Sequence, residues 1–300
     1  LIIAGPGSGK TRTLVERVVY LLKEKGVEAE HIMVATFTEK AAAEVISRIS
    51  NRVLELGLKV NLNEMYIGTL HSIFLRMVEE HREYTDLKRN YRVLDSFDQN
   101  YMVMDELNRF EKIEGLGHIV GFGNRSRWDK SEAIVKYASK VGEEVLDLRK
   151  MLRSEDPGVS ALAQAYELYR HLLDEENALD FSHIQVALWE LLTTKPAVLK
   201  ALQEKVRYIL VDEYQDTNTV QELILLKLAE AHSNICVVGD DDQGLYRFRG
   251  ATIRNILEFK QNFPSCAQVT LTTNYRSHPD IIRFYNRWMQ DCDWTEGARS

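Results

Sequence analysis

One segment restricts this chain more than any other. Apolar Leu1-Ile2-Ile3-Ala4 gives way to Gly5-Pro6-Gly7-Ser8-Gly9-Lys10-Thr11, and a helical pattern follows over residues 9–25, closing at Gly26. Glycines at 5, 7 and 9 let the backbone turn successive N–H groups toward an anion. The start of the helix adds its positive end. Lys10 supplies a point charge for the outer phosphates of a nucleotide, and the Thr11 hydroxyl is placed to bind a magnesium ion. The segment has the form of a phosphate-binding loop, with Ala4 where the strict pattern has glycine.

Magnesium keeps several waters and takes one or two carboxylates, so such a loop needs a carboxylate partner. A second apolar run, Ile209-Leu210-Val211, ends abruptly in Asp212-Glu213-Tyr214-Gln215-Asp216. It is expected to be a buried strand delivering both carboxylates to a sheet edge, with Asp212 open to the metal. Further strands are expected at 32–36, 65–67, 235–238 and 268–271, and helices at 39–56, from about 71, and near 219–231 and 253–262. This alternation specifies an α/β fold, a mostly parallel sheet flanked by helices on both faces. Polar segments follow the apolar runs: Gly5 to Lys10, Phe37-Thr38-Glu39-Lys40, Gly68-Thr69-Leu70-His71-Ser72, Asp212-Glu213, and Gly239-Asp240-Asp241-Asp242-Gln243. Open α/β sheets bind ligands outside the carboxyl ends of their strands, so these segments converge on one rim.

Between residues 81 and 177 the pattern changes to long amphipathic stretches (97–110, 131–152, 160–175) without strand-like runs, which indicates an inserted all-α subdomain. Its glycine-rich segment 115–127 is expected to be a loop. The net charge of −7 excludes binding of nucleic acid by bulk electrostatics, so any such contact is local. Tyr246-Arg247-Phe248-Arg249 interleaves aromatic and basic side chains as base stacking with phosphate neutralisation requires. No run of about 18 apolar residues exists and no secretory segment precedes the first strand, so a cytoplasmic protein is expected. Cys236, Cys266 and Cys292 lack metal-ligand spacing, which fits a reducing compartment without a zinc site.

Six segments, in order and spanning nearly the whole chain, resemble the motifs of superfamily 1 DNA helicases of the UvrD/Rep type. They are Ala4 to Thr11, Ala35-Thr36-Phe37-Thr38-Glu39-Lys40-Ala41-Ala42, Gly68 to Ser72, Val211 to Thr217, Val238 to Gln243 with Arg249-Gly250-Ala251, and Asn274-Tyr275-Arg276-Ser277. The resemblance implies a discontinuous RecA-like ATP-binding domain (1–80 and 178–276), an inserted helical subdomain (81–177) and the start of a second RecA-like half (277–300). Leu179-Asp180-Phe181-Ser182 would mark the return from the insertion.

The same resemblance implies ATP and Mg2+ as cofactors. Gly5, Gly7, Ser8, Gly9, Lys10 and Thr11 would cradle the phosphates, and Thr11 and Asp212 would hold the metal. Glu213 would orient and deprotonate the attacking water. Gln243 would sense the γ-phosphate, Arg276 would stabilise transition-state charge, and Tyr275 with Arg12 would hold the adenine. Phe37, Thr69, His71, Tyr246, Phe248 and Arg249 would line the DNA path, with Phe248 where the family usually has tryptophan.

The implied activity is ATP-driven movement on single-stranded DNA, 3′ to 5′, with unwinding of duplex junctions by a monomer. The family has a preceding stretch whose glutamine reads adenine, and a second half that supplies another arginine. The chain is therefore expected to be part of a longer helicase and, alone, to bind Mg-ATP weakly and hydrolyse it poorly. Three alternatives stay open from the residues: a helicase–nuclease subunit of recombination, a phosphotransferase of the small-kinase type, and a non-catalytic ATP-dependent clamp.

Overall fold

The computed structural model describes residues 1–240 and 254–291. Strands β1 (Ile2–Ala4), β2 (Ile32–Thr36), β3 (Tyr66–Thr69), β4 (Arg92–Leu94), β5 (Ala178–Asp180), β6 (Tyr208–Val211), β7 (Ile235–Gly239) and β8 (Val269–Leu271) form two sheets. The larger is six-stranded, in the order β3-β2-β6-β7-β1-β8, and each of its pairings is parallel.

The burial pattern explains why this sheet needs cover on both faces. All five residues of β2 are buried, and successive side chains point to opposite faces. Ile32 and Val34 join one apolar cluster with Leu14, Val18, Val45 and Ile49, carried by helices α1 (Lys10–Lys23) and α2 (Glu39–Glu55). Met33 and Ala35 join the other, against α3 (Leu70–Glu80) and helices from the later chain. Each buried Ile, Val, Leu or Met among these side chains contributes about 1.5–3 kcal/mol.

The inserted segment gathers α4 (Ser96–Asp105), α5 (Leu107–Phe110), α6 (Leu116–Val120), α7 (Arg127–Glu143), α8 (Leu148–Leu152) and α9 (Pro157–Glu175) around a separate apolar cluster that includes Phe110, Leu116, Ile134 and Tyr169. The short strands β4 and β5 pair beneath it. The chain then continues through α10 (Phe181–Thr194), α11 (Pro196–Lys205), α12 (Thr219–Ala229), α13 (Arg254–Asn262) and α14 (Pro279–Asp291).

Three features differ from expectation. The loop expected over 115–127 contains α6, because Leu116 and Val120, four residues apart, both bury on its inner face. The stretch 131–152 is broken after Glu143, where Val145 takes a left-handed conformation (φ 52°). The strands β4 and β5, three residues each, carry too little pattern to stand out in the sequence. The expected functional residues Gln243, Tyr246, Phe248 and Arg249 lie outside the described residues, as does Cys292. Among the described residues no helix is long and apolar enough to cross a membrane.

The insertion also holds a titratable strain. Burial pushes the Glu143 carboxyl up to about 7, Lys140 opposes this, and Asp180 and Glu144 add to it. A carboxyl whose folded value is raised costs stability as pH rises from its unfolded value, about 4.3, to about 7. Glu143→Gln removes that cost. It is expected to stabilise the fold by about 1–3 kcal/mol at pH 8 and to change little at pH 4, at about 1.4 kcal/mol per pKa unit. Urea unfolding of both forms at the two pH values checks the sign.

Candidate nucleotide site and its rim

The registers bring the ends of the six strands to one edge. Thr36 is opposite Thr69, Ala35 opposite Val211, Val211 opposite Val237, Ile3 opposite Gly239, and Ala4 opposite Leu271. The turn after β1 and the carboxylates after β6 therefore meet, although about 200 residues separate them.

The glycine turn is built as its residue types require. Gly9, at the N-cap of α1, is left-handed (φ 95°), and so is Gly7 (φ 71°). The Ser8 hydroxyl donates to Gly5 O at 2.7 Å. A Cβ on Gly7 would lie 2.5 Å from Asn274 Oδ1 and 2.6 Å from Arg276 Cβ, so the 274–276 segment is seated against the loop. Tyr275 N–H donates to Gly7 O at 2.9 Å, while the Tyr275 ring is 81% exposed. Arg276 and Arg12 are exposed beside the same loop.

Lys10 Nζ donates to Glu213 Oε2 at 2.8 Å, and the lysine side chain is only 10% exposed. Thr11 Oγ1 lies 3.4 Å from Asp212 Oδ2, and the other oxygen of Asp212 accepts from Glu213 N–H at 3.0 Å. Glu213 is left-handed (φ 51°), a conformation that costs a non-glycine residue on the order of 1 kcal/mol or more and persists only where its surroundings enforce it. It opens the 3₁₀ turn Tyr214–Asp216 and points the carboxylate at Lys10.

Burial, and then the neighbouring Glu213, pushes Asp212 up to about 6, with Lys10 pulling the other way. The same two causes push Asp216 up to about 7, and its buried Oδ1 has no hydrogen-bond partner among the described residues. A hydroxyl and a sheltered carboxylate this close are hard oxygen donors that fit Mg2+, and a bound cation favours the ionised form of Asp212. The residues present thus suit the metal that the loop implies.

Along the rim, Phe37 is half-buried at the end of β2. The Thr69 hydroxyl caps α3 by accepting from Ser72 N–H and also donates to Glu39 Oε1 at 2.9 Å, so it is engaged within the fold. His71 meets Gln185, a fully buried amide on α10: Gln185 Nε2 donates to His71 Nε2 at 3.0 Å and to Phe181 O. The His71 proton is therefore on Nδ1, in keeping with burial, which lowers its pKa. Gln185 Oε1 accepts from Asn218 Nδ2 at 3.1 Å, just beyond the carboxylate turn. Phe181, 51% exposed, packs edge-on against His71 with ring centroids 5.6 Å apart.

Sequence reasoning missed Gln185 and Asn218, and it placed Gln215 in a motif without a role; all three are neutral amides whose side chains join the rim to the carboxylate turn. For Gln185 and Asn218 only a position near a helix end could have drawn attention.

Residues 1–264 match the family described as UvrD/REP helicase N-terminal domain. The chain is 34% identical over 293 residues to ATP-dependent DNA helicase PcrA of Staphylococcus epidermidis, covering 95% of this chain and 37% of that protein. It is 35% identical over 289 residues to ATP-dependent DNA helicase PcrA of Bacillus subtilis, covering 95% and 36%. It thus spans little more than a third of the length of these relatives.

Proposed function

The chain belongs to the UvrD/REP helicase family, and from that premise we propose that it is the ATP-binding portion of an ATP-driven DNA helicase that moves 3′ to 5′ along single strands. One observation carries this reading: Lys10 and Glu213, 203 positions apart, meet at 2.8 Å beside the Thr11–Asp212 pair. That arrangement supports the reading, because phosphoryl transfer needs a phosphate-binding cation, a metal-binding pair and a water-activating carboxylate close together.

In the proposed mechanism the glycine turn and Lys10 hold the β- and γ-phosphates, and Tyr275 and Arg12 flank the base. Thr11 and Asp212 would hold Mg2+, which would neutralise phosphate charge. Lys10 leaves Glu213 for the phosphate, and the freed carboxylate takes the proton of the attacking water. Arg276, seated on the loop through Asn274 and Gly7, offsets the charge that develops on the transferred group. Gln243 reports the γ-phosphate to the DNA path of Phe37, Thr69, His71, Tyr246, Phe248 and Arg249.

Residues 1–80 and 178–276 form the ATP-binding domain in this proposal, and 81–177 the helical insertion. Residues 277–300 begin a second RecA-like half that completes the cleft. The apolar side of α14, with Ile281, Phe284 and Trp288 exposed, supports that last assignment. The protein acts as a monomer in the cytoplasm, at junctions between single- and double-stranded DNA.

The test is ATP hydrolysis by the full-length protein with single-stranded DNA, duplex DNA or RNA at several salt concentrations. Strong stimulation by single strands, weakening as salt rises, is expected. A rate indifferent to every polynucleotide would remove the motor and favour a phosphotransferase.

A further inference from the structure

Gln215 is 1% exposed and lies between the carboxylate turn and the end of β7. Its Nε2 donates to Glu213 Oε2 at 2.8 Å, and its Oε1 accepts from Asp240 N–H at 3.1 Å. These partners fix the amide orientation, since a carboxylate only accepts and a backbone N–H only donates. Its Oε1 occupies the space beside Gly239, where a Cβ would lie only 2.6 Å away, so a side chain at that position would press on the amide.

Glu213 Oε2 receives two donors, Lys10 Nζ and Gln215 Nε2, each at 2.8 Å. They fare differently when a nucleotide enters. A γ-phosphate competes with Glu213 for Lys10, because both are anions within reach of one ammonium. Gln215 is neutral, buried and tied to the backbone just past β7, so it stays on the carboxylate.

We infer that Gln215 is a positioning residue for hydrolysis, holding the Glu213 carboxylate in place once Lys10 has moved to the nucleotide and referencing it to the backbone at the end of β7. This rests on the proposed role of Glu213 in handling the attacking water. An amide with both ends engaged suits that role, because it orients a carboxylate without neutralising it, whereas a cation there would keep it paired.

Four variants of the full-length protein test this: Gln215→Leu, Gln215→Glu, Glu213→Gln, and Gln215→Leu combined with Glu213→Gln. Single-turnover ATP hydrolysis, affinity for a fluorescent ATP analogue and melting temperature are measured for each. Gln215→Glu keeps the shape and the acceptor for Asp240 N–H but sets a carboxylate against Glu213, so it separates positioning from packing even if Gln215→Leu folds poorly. Both single Gln215 variants are expected to lose roughly 10- to 100-fold in the hydrolysis step, with nucleotide affinity little changed. On the Glu213→Gln background, Gln215→Leu is expected to cost nothing further, because the group it positions is gone. Hydrolysis by Gln215→Glu at the rate of the unsubstituted protein, or additive losses in the double variant, overturns the inference alone. An unsubstituted protein that hydrolyses no ATP overturns the proposed function and the inference with it.

Discussion

Replacing Glu213 with glutamine is expected to slow ATP hydrolysis by the full-length protein by roughly 10²- to 10⁴-fold, the range that a positioned general base contributes, while nucleotide affinity holds or rises. The two effects have separate causes in the site. Glutamine has nearly the shape of glutamate and can still accept from Gln215 Nε2, so the turn after β6 keeps its form. It has no basic oxygen to take the proton of water. It also removes the anion that holds Lys10 at 2.8 Å, so an incoming phosphate no longer has to displace a carboxylate from the lysine. Hydrolysis rate and affinity for an ATP analogue, measured on the same preparation, check both halves. A variant that keeps its full hydrolysis rate would move Glu213 out of the chemistry and favour a non-catalytic clamp. Loss of nucleotide affinity would instead make the Lys10–Glu213 pair a structural tie.

The half of the site that carries charge or special backbone was legible in the sequence. Glycines before Lys10-Thr11 and adjacent carboxylates after Ile209-Leu210-Val211 are abrupt departures from apolar strand pattern, and the sheet register places both at one edge. The polar struts were not legible. Gln185 and Asn218 are buried with neutral side chains and no periodicity of their own, and Gln215, though inside a recognisable motif, shows its tie to Glu213 and Asp240 only once distant elements meet. Helix α10 hid for a related reason. It is buried on several sides, with Ser182, His183, Ile184, Gln185 and Val186 all inside, and its pattern therefore lacks the one-sided stripe that marks a surface helix. The insertion was visible as a change of period, whereas β4 and β5 at its base were too short to register.

The second large effect falls at that base. Asp180→Ala is expected to destabilise the fold by about 1–3 kcal/mol for each buried donor it leaves without an acceptor, more than one such donor being involved. Asp180 is 1% exposed at the end of β5 and caps α10, accepting from His183 N–H at 2.6 Å and from His183 Nδ1 at 3.0 Å. Its second oxygen accepts from the Tyr169 hydroxyl on α9 at 2.5 Å. Burial alone would push the Asp180 carboxyl up; the His183 charge and these hydrogen bonds outweigh it and hold the carboxyl below its usual value. A depressed carboxyl contributes stability above its unfolded pKa and loses it as pH falls through the folded value. The alanine variant is therefore expected to differ most from the natural protein near neutral pH and least in strong acid. Alanine would leave the Tyr169 hydroxyl and the His183 donors without their acceptor inside the fold, the costly way to break such a network. Because α10 also carries Gln185, the amide that meets His71 and Asn218, a loosened cap would be felt at the rim as well as in the melting curve. Urea unfolding at pH 7 and pH 3 checks the effect, and a loss below about 1 kcal/mol at pH 7, the scale of an ordinary helix cap, would show that Asp180 does no more than start a helix.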